Sequence, residues 1–432
     1  MKLETLEVFT VAPPNGIGGS FWTLVRVTAS DGTTGVGECY GIPLGPAATR
    51  SVVRDIFDRH LAGEQASRIE TMFRRVYSAG FTQRPDPTLM GAFSGIEMAV
   101  WDILGKARGV PVYDLLGGLF HHRLRTYTYI YPRSVHDPDA TDNGDCYHDP
   151  EAAAERAAEY VAQGWTALKQ DPTGPYSFQG GRELSLAELR RSVDNVAAIR
   201  AAVGNSADIL FGTHGQMTTS SAIRLARQLE RFDPLWFEEP VPPDQVDGLR
   251  RVVEATSIPV ATGERLTTRA EFHSALQAGV SFVQPDIGRS GGIWETKKIA
   301  VLAESFNAQI APHIYCGPIA HAAAAHVGFT SPNFLLLETI QTLFHRKIVD
   351  TTLEWDSGYL YPPSTPGLGV ALDDAVVADH AAPDDSPLHL EMCQYPLDSM
   401  NSKTITEISQ VDDRGWSQSA ADSSSGLDNK NT

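Results

Sequence analysis

One repeat constrains this chain more than any other feature. It opens at Trp236 and closes on His313. Short apolar runs at residues 235–237, 258–261, 280–283 and 308–310 each lead to an ionisable residue: Glu238, Glu264, Asp286 and His313. The intervals between these four are 26, 22 and 27 residues, with helix-like stretches at 269–276 and 293–304 between the runs. A strand, a charged tip and a helix, recurring about every 25 residues, is the signature of successive β/α units. The fold class is therefore α/β, and a closed (β/α) barrel is its natural form.

In such a barrel the C-terminal strand ends open on one face, where these barrels do their chemistry. A single glutamate after a strand is usually a helix cap or a solvated loop residue. Four ionisable residues in register, each after an apolar run, converge instead on one mouth. Carboxylates brought together stay charged only when something positive compensates them. Converging glutamates thus point to a hard divalent cation with oxygen ligands.

Length and charge narrow the class. At 432 residues with 42% hydrophobic content, the chain can build a barrel and a smaller domain. Thirty-five basic against 53 acidic residues leave a net charge of −18, which repels nucleic-acid phosphate and makes any anionic substrate depend on local positive charge. The cysteines Cys39, Cys146, Cys316 and Cys393 are scattered without a Cys-x-x-Cys pair, against a disulfide framework and in favour of a reducing compartment. No signal-peptide pattern opens the chain and no apolar run approaches 18 residues, so the expectation is a cytoplasmic protein with no membrane partner.

Residues 1–124 read as a separate α+β domain. Alternating strands at 3–11 and 21–27 and an Asp31-Gly32 turn precede helices at 48–61, 69–77 and 89–107. Gly91, Ala92, Gly95 and Ala99 give the third helix a small-residue face. Residues 125–345 read as the barrel, 346–400 as a segment returning to the first domain, and 401–432, rich in Ser, Asp and Asn, as a disordered tail. A polar insertion at 134–149 is expected on the catalytic face.

The Glu-Glu-Pro at 238–240, Gly-Glu-Arg at 263–265, Gln-Pro-Asp at 284–286 and Ala-Pro-His at 311–313 resemble the enolase superfamily, within it the mandelate racemase-like subgroup and especially its sugar-acid (aldonate) dehydratases. The resemblance runs from residue 1 to about residue 380. It implies a modified TIM barrel with an N-terminal capping domain whose loops near 12–20 and 40–50 close over the barrel mouth.

The resemblance also implies roles. Three carboxylates on consecutive strand ends bind Mg²⁺ in the family, and Glu238 and Glu264 match two of them. The third position is Gly212, which has no side chain to offer, so water, His214 or another acid is expected to complete the shell. An aspartate placed at 212 is expected to tighten Mg²⁺ binding. His313 matches the family's base and Asp286 its partner, because a carboxylate beside an imidazole fixes its tautomer and raises its pKa. His214, two residues after Gly212 and on the same side if the strand continues, matches the acid that protonates a leaving hydroxyl. Lys169 matches a lysine that neutralises the substrate carboxylate, with Asp171 where racemases carry a second lysine. Glu338 matches a residue that hydrogen-bonds the enolate oxygen or the substrate, or it is a salt-bridge partner.

Together these imply an Mg²⁺-dependent hydro-lyase of carbohydrate catabolism. It would abstract the proton α to a carboxylate and eliminate the β-hydroxyl to give a 2-keto-3-deoxy acid. A homo-oligomer acting on a small-molecule carboxylate is expected. The alternatives are a cycloisomerase or epimerase on a related acid or lactone, and a non-catalytic barrel that has lost a metal ligand.

Overall fold

Three antiparallel strands open the chain: β1 (Leu3–Val11), β2 (Trp22–Ala29) and β3 (Thr34–Cys39). This computed structural model describes residues 1–14, 16–135, 145–173 and 181–389. The polar insertion is described only in part, and the region expected to be a tail lies outside the described residues. Asp31 makes the turn between β2 and β3 by accepting from the Thr33 N–H at 3.1 Å. Helices α1 (Pro46–Ile56), α2 (Ile69–Tyr77), α3 (Pro87–Arg108) and the short α4 (Val112–Leu115) follow. Helix α3 begins at Asp86, whose side chain accepts from the Thr88 and Leu89 N–H groups, and stops at Gly109 in the left-handed region. Its small-residue face lies against β3: a Cβ on Gly95 would stand 2.5 Å from the Cys39 Sγ.

The barrel comprises β4 (Leu124–Tyr129), α5 (Pro150–Ala162), β5 (Ala167–Gln170), α6 (Leu186–Val203), β6 (Asp208–Gly212), α7 (Thr219–Leu229), β7 (Trp236–Glu238), α8 (Val246–Ala255), β8 (Val260–Thr262), α9 (Thr268–Gln277), β9 (Phe282–Val283), α10 (Gly292–Ser305), β10 (Gln309–Ile310), α11 (Pro318–Phe329) and β11 (Leu337–Glu338). Strands β4 to β10 pair in parallel in chain order. Pairing of β11 with β4 and a parallel bridge from Ile310 to Phe334 close the cylinder. Its interior is filled by Tyr127, Ala167, Leu210, Trp236, Ala261, Phe282, Ala311 and Leu336. Three large aromatics and two leucines are interspersed with three alanines in that layer, so the floor below the mouth is packed rather than hollow.

The chain after the barrel forms α12 (Leu343–Lys347), β12 (Val349–Thr351), β13 (Glu354–Asp356), β14 (Tyr359–Tyr361), β15 (Val370–Leu372) and α13 (Asp374–Asp379). It meets both the first domain and the barrel: the Leu368 N–H donates to Asp102 Oδ1 at 2.8 Å and the Gly367 N–H to the Val110 carbonyl at 3.0 Å. Strand β14 pairs antiparallel with the start of β4, Tyr359 opposite Arg125, so the β13–β14 hairpin extends the barrel sheet. Beyond α13 the chain also reaches β1, where the Ala12 N–H donates to the His380 carbonyl and the Ala382 N–H to that of Thr10, both at 2.8 Å.

Two buried glutamates fasten the first domain to the barrel. Glu38, in β3, accepts from the Gly317 and Ala320 N–H groups at the start of α11, at 2.5 and 3.0 Å. Glu97, in α3, accepts from Ile293 and Trp294 at the start of α10, at 2.7 and 2.9 Å. A carboxylate at a helix N-terminus meets otherwise orphaned donors and the positive end of the dipole. Burial pushes both carboxyls up to about 7, against the pull of those N–H groups.

Candidate active site

The strand ends of the barrel bring most of the singled-out residues together. His313, just past β10, lies with its Nδ1 2.7 Å from Asp286 Oδ2, while Asp286 Oδ1 accepts from the Gly288 N–H at 2.8 Å. That contact places the imidazole proton on Nδ1 and turns Nε2 inward, 3.5 Å from Glu264 Oε2. Burial works against protonation of His313, but Glu264, Glu338 and Asp286 outweigh it and raise its pKa to about 9. Burial also opposes ionisation of Glu264, yet His313, His214, Lys169 and Arg265 hold it well below the usual carboxylate range.

A second imidazole–carboxylate pair also acts on Glu264. His214 Nδ1 is 3.8 Å from Asp171 Oδ2. Asp171 is itself held by the Thr173 N–H and hydroxyl at 2.7 and 2.6 Å and by Gln216 Nε2 at 3.0 Å. Burial disfavours the charged imidazole, but Glu264 and Asp171 raise its pKa overall.

The route to His214 differs from the strand reading. Strand β6 ends at Gly212, and the chain turns because Thr213 donates through its N–H and hydroxyl to the Glu238 carbonyl, at 3.1 and 2.8 Å. His214 adopts a φ of +52°, so alternation along a strand does not set its direction. Gly215 continues the turn at φ +65°, where a Cβ would meet the Arg265 guanidinium at 2.2 Å. Arg265 is fixed there by Glu239, its Nε donating at 2.8 Å, so the second glutamate of Glu-Glu-Pro shapes the turn that carries His214.

Lys169, at 1% side-chain exposure, reaches the centre of the mouth. Its Nζ lies 2.9 Å from Glu238 Oε1 and 3.0 Å from Glu338 Oε1, over the rings of Tyr129 and Tyr127 at 4.9 and 5.3 Å. Burial alone would lower its pKa, but Glu238, Glu338 and Glu264 hold it above the ordinary lysine value. Glu338 Oε2 accepts from the Ile314 N–H at 3.1 Å, so this carboxylate joins β11 to β5 and to the loop after β10.

The expected metal shell does not assemble from these residues. Glu238 Oε2 accepts from Trp236 Nε1 at 2.9 Å and Gln284 Nε2 at 2.7 Å, and Oε1 faces Lys169, so both oxygens are engaged. A Cβ on Gly212 would stand 2.5 Å from the Tyr129 hydroxyl and 3.2 Å from the Lys169 Cδ and Cε. His214 Nδ1 is turned to Asp171 Oδ2, 3.8 Å away. Glu264 Oε2 is buried without a hydrogen-bond partner among the described residues. Among the described residues no group of three or more His, Cys, Asp and Glu is placed to hold a metal ion. The residues present therefore do not fit a three-carboxylate centre.

Several residues at the mouth escaped the sequence reading. Trp236 lies two positions before Glu238 on β7, a same-face spacing that could have suggested it. Gln284 sits within a motif already singled out, without a sign of its partner. Tyr40, just after β3, comes from the first domain: its ring lies 5.6 Å from that of His313, and its N–H donates to the Gly288 carbonyl at 3.0 Å. Nothing local in the sequence pairs residue 40 with residue 313.

A capped, closed (β/α) barrel with a buried His–Asp pair and a buried lysine at its strand ends defines the class: a barrel built for acid–base chemistry on a small molecule. Residues 16–117 match the mandelate racemase/muconate lactonizing enzyme N-terminal domain, and residues 152–376 the enolase C-terminal domain-like family. The chain belongs to the enolase superfamily, in its mandelate racemase/muconate lactonizing enzyme group. It is 35% identical over 402 residues to a D-galactonate dehydratase of Ralstonia pickettii, covering 89% of this chain and 96% of that one. It is 36% identical over 392 residues to the enzyme so named from Xanthomonas axonopodis pv. citri, covering 87% and 94%. Among solved structures, a mandelate racemase/muconate lactonizing enzyme from Jannaschia sp. CCS1 is 52% identical, with a TM-score of 0.87 over 90% of this chain and all of that one. Among the described residues no helix is long and apolar enough to cross a membrane.

Proposed function

We propose that this enzyme is a hydro-lyase acting on a sugar acid, with D-galactonate, the substrate of its named relatives, as the first candidate. The observation that carries the reading is the pair of imidazole–carboxylate contacts, His313–Asp286 and His214–Asp171, both of whose imidazoles act electrostatically on Glu264. Elimination from a 2,3-dihydroxy acid needs one base for the α-proton and one acid for the leaving hydroxyl. His313, held through Nδ1 by Asp286, presents Nε2 to the substrate and takes the α-proton in its neutral form. The carboxylates around it make that nitrogen a stronger proton acceptor. His214 returns a proton to the β-hydroxyl as the C–O bond breaks, and water leaves. The enol then becomes a 2-keto-3-deoxy acid.

Removing a proton beside a carboxylate places a second negative charge on it, which must be met by fixed positive charge. Lys169 has three N–H bonds, two directed at Glu238 and Glu338, leaving one for a substrate carboxylate oxygen. Racemisation needs a base on each face of the α-carbon. Asp171 stands where a second lysine would be, and its oxygens are committed to Thr173, Gln216 and His214, which favours elimination over epimerisation.

Enolase-superfamily enzymes are generally Mg²⁺-dependent, and Glu238 and Glu264 occupy two of the matching positions. Among the described residues the side chains do not form the family's three-carboxylate shell. The test is a panel of sugar acids, D-galactonate included, assayed with and without Mg²⁺ for 2-keto-3-deoxy products by semicarbazide. Product from at least one sugar acid is expected, with loss of one water by mass. Inversion at the α-carbon without loss of water would replace this reading by an epimerase.

A further inference from the structure

We propose that the Lys169 ammonium takes the place of a divalent cation in this site, so that the protein's own charge serves where a bound metal otherwise would. The inference rests on the reading above for the substrate, a carboxylate activated at its α-carbon, but the architecture supporting it is independent of which acid that is.

A hard dication needs several oxygens turned toward one point. Here those of Glu238 and Glu338 are turned elsewhere, and among the matched carboxylates only Glu264 keeps a buried oxygen, Oε2, without a hydrogen-bond partner among the described residues. Glu238 gives one oxygen to Lys169 and the other to two neutral N–H donors, Trp236 and Gln284. Glu338 gives one oxygen to Lys169 and the other to the Ile314 N–H. At the remaining corner there is no side chain, and the Tyr129 hydroxyl, which donates to the Gly212 carbonyl at 3.2 Å, fills the space where one would begin. Glycine at 212 is thus part of a packed arrangement, since any Cβ would displace Tyr129 or Lys169.

The lysine is built in to match. It is buried, its methylenes line the Gly212 gap, and its ammonium lies between two carboxylates and over two tyrosine faces. A buried ammonium so enclosed is a fixed charge that needs little reorganisation when negative charge develops beside it. It also competes directly with any dication. Placing Mg²⁺ against Glu238 would bring it within a few ångströms of Nζ, where like charges in a buried setting repel strongly.

The competition supplies a test that does not depend on turnover. Protein freed of metal with a chelator is titrated with Mg²⁺ alone by calorimetry, for the wild type and for Lys169→Met. The wild type is expected to show no saturable binding up to about 5 mM Mg²⁺. Lys169→Met, which leaves Glu238 and Glu338 without their counter-charge, is expected to bind at least tenfold more tightly than that limit. Saturable wild-type binding below about 5 mM would overturn the proposal, as would equal affinity in the two proteins. If Lys169→Met does not fold, the wild-type titration decides alone. The second measurement is dehydration of D-galactonate by wild type with EDTA or with 5 mM Mg²⁺: rates within about twofold are expected, and loss of activity in EDTA overturns the inference. If no sugar acid is turned over under either condition, the sugar-acid reading fails while the Mg²⁺ titrations still decide the role of Lys169.

Discussion

The Tyr129 hydroxyl stands where a side chain at Gly212 would begin: a Cβ there would lie 2.5 Å away. From the sequence alone, Gly212→Asp restores a missing ligand and tightens Mg²⁺ binding. The contact changes that expectation. Gly212→Asp alone should destabilise the protein by about 1–3 kcal/mol, the range for overpacking a filled interior, and should gain no Mg²⁺ affinity. Adding Tyr129→Phe removes the obstructing oxygen, so part of the stability should return, and any gain in Mg²⁺ affinity should appear only in the double variant. Denaturant unfolding and calorimetry on the three proteins check both points. A stable single variant that binds Mg²⁺ tightly would mean the gap is open.

His313→Asn should keep the fold, because the amide can still donate to Asp286, but it removes the inward-facing nitrogen. Turnover of the accepted sugar acid should fall by roughly 10²–10⁴-fold, the usual worth of general acid–base catalysis. Steady-state kinetics alongside circular dichroism test it, and a loss under about tenfold would remove His313 from the role of base.

His214→Asn should separate the two halves of the reaction. With His313 intact, exchange of the α-proton with deuterated solvent should continue while dehydration slows by about 10²-fold or more. Proton NMR follows the exchange and semicarbazide the product. Equal loss of both would show that His214 acts before proton abstraction, in binding the substrate.

His326 predicts a pH dependence of stability away from the site. Its Nδ1 accepts from the Tyr113 N–H and its Nε2–H donates to the Leu368 carbonyl, both at 3.1 Å, so the fold holds the neutral ring between α11, α4 and the C-terminal segment. Burial pushes its pKa down from 6.5 to about 4, with the Leu368 contact opposing. The unfolded chain therefore binds more protons than the folded one between those values, and stability falls as pH drops from about 6.5 to 4. His326→Gln can keep one donor and one acceptor but does not titrate. The wild type should lose on the order of 2–3 kcal/mol relative to this variant over that window. Urea unfolding at pH 7.5, 5.5 and 4 measures the difference, and parallel pH profiles would show that His326 is not what titrates.

The sequence by itself determined the barrel, and with it most of the site. An apolar run, an ionisable tip and a helix at regular intervals have one economical parallel arrangement, and closing it puts Glu238, Glu264, Asp286 and His313 on one face. The His313–Asp286 contact was legible for the same reason, since each ends a neighbouring strand. The local rule failed at His214, where β6 stops at Gly212 and hydrogen bonds from Thr213 to the next strand end take over the backbone. The tertiary structure alone decided what compensates the carboxylates. Glu238 reads as a metal ligand until Trp236, Gln284 and Lys169 are seen around it, and Gly212 reads as a gap until Tyr129 is seen filling it. These contacts join residues 46 to 83 positions apart in three of the four cases. A sequence pattern records which way a side chain faces on its own element, not which distant group has already taken the space or the hydrogen bond in front of it.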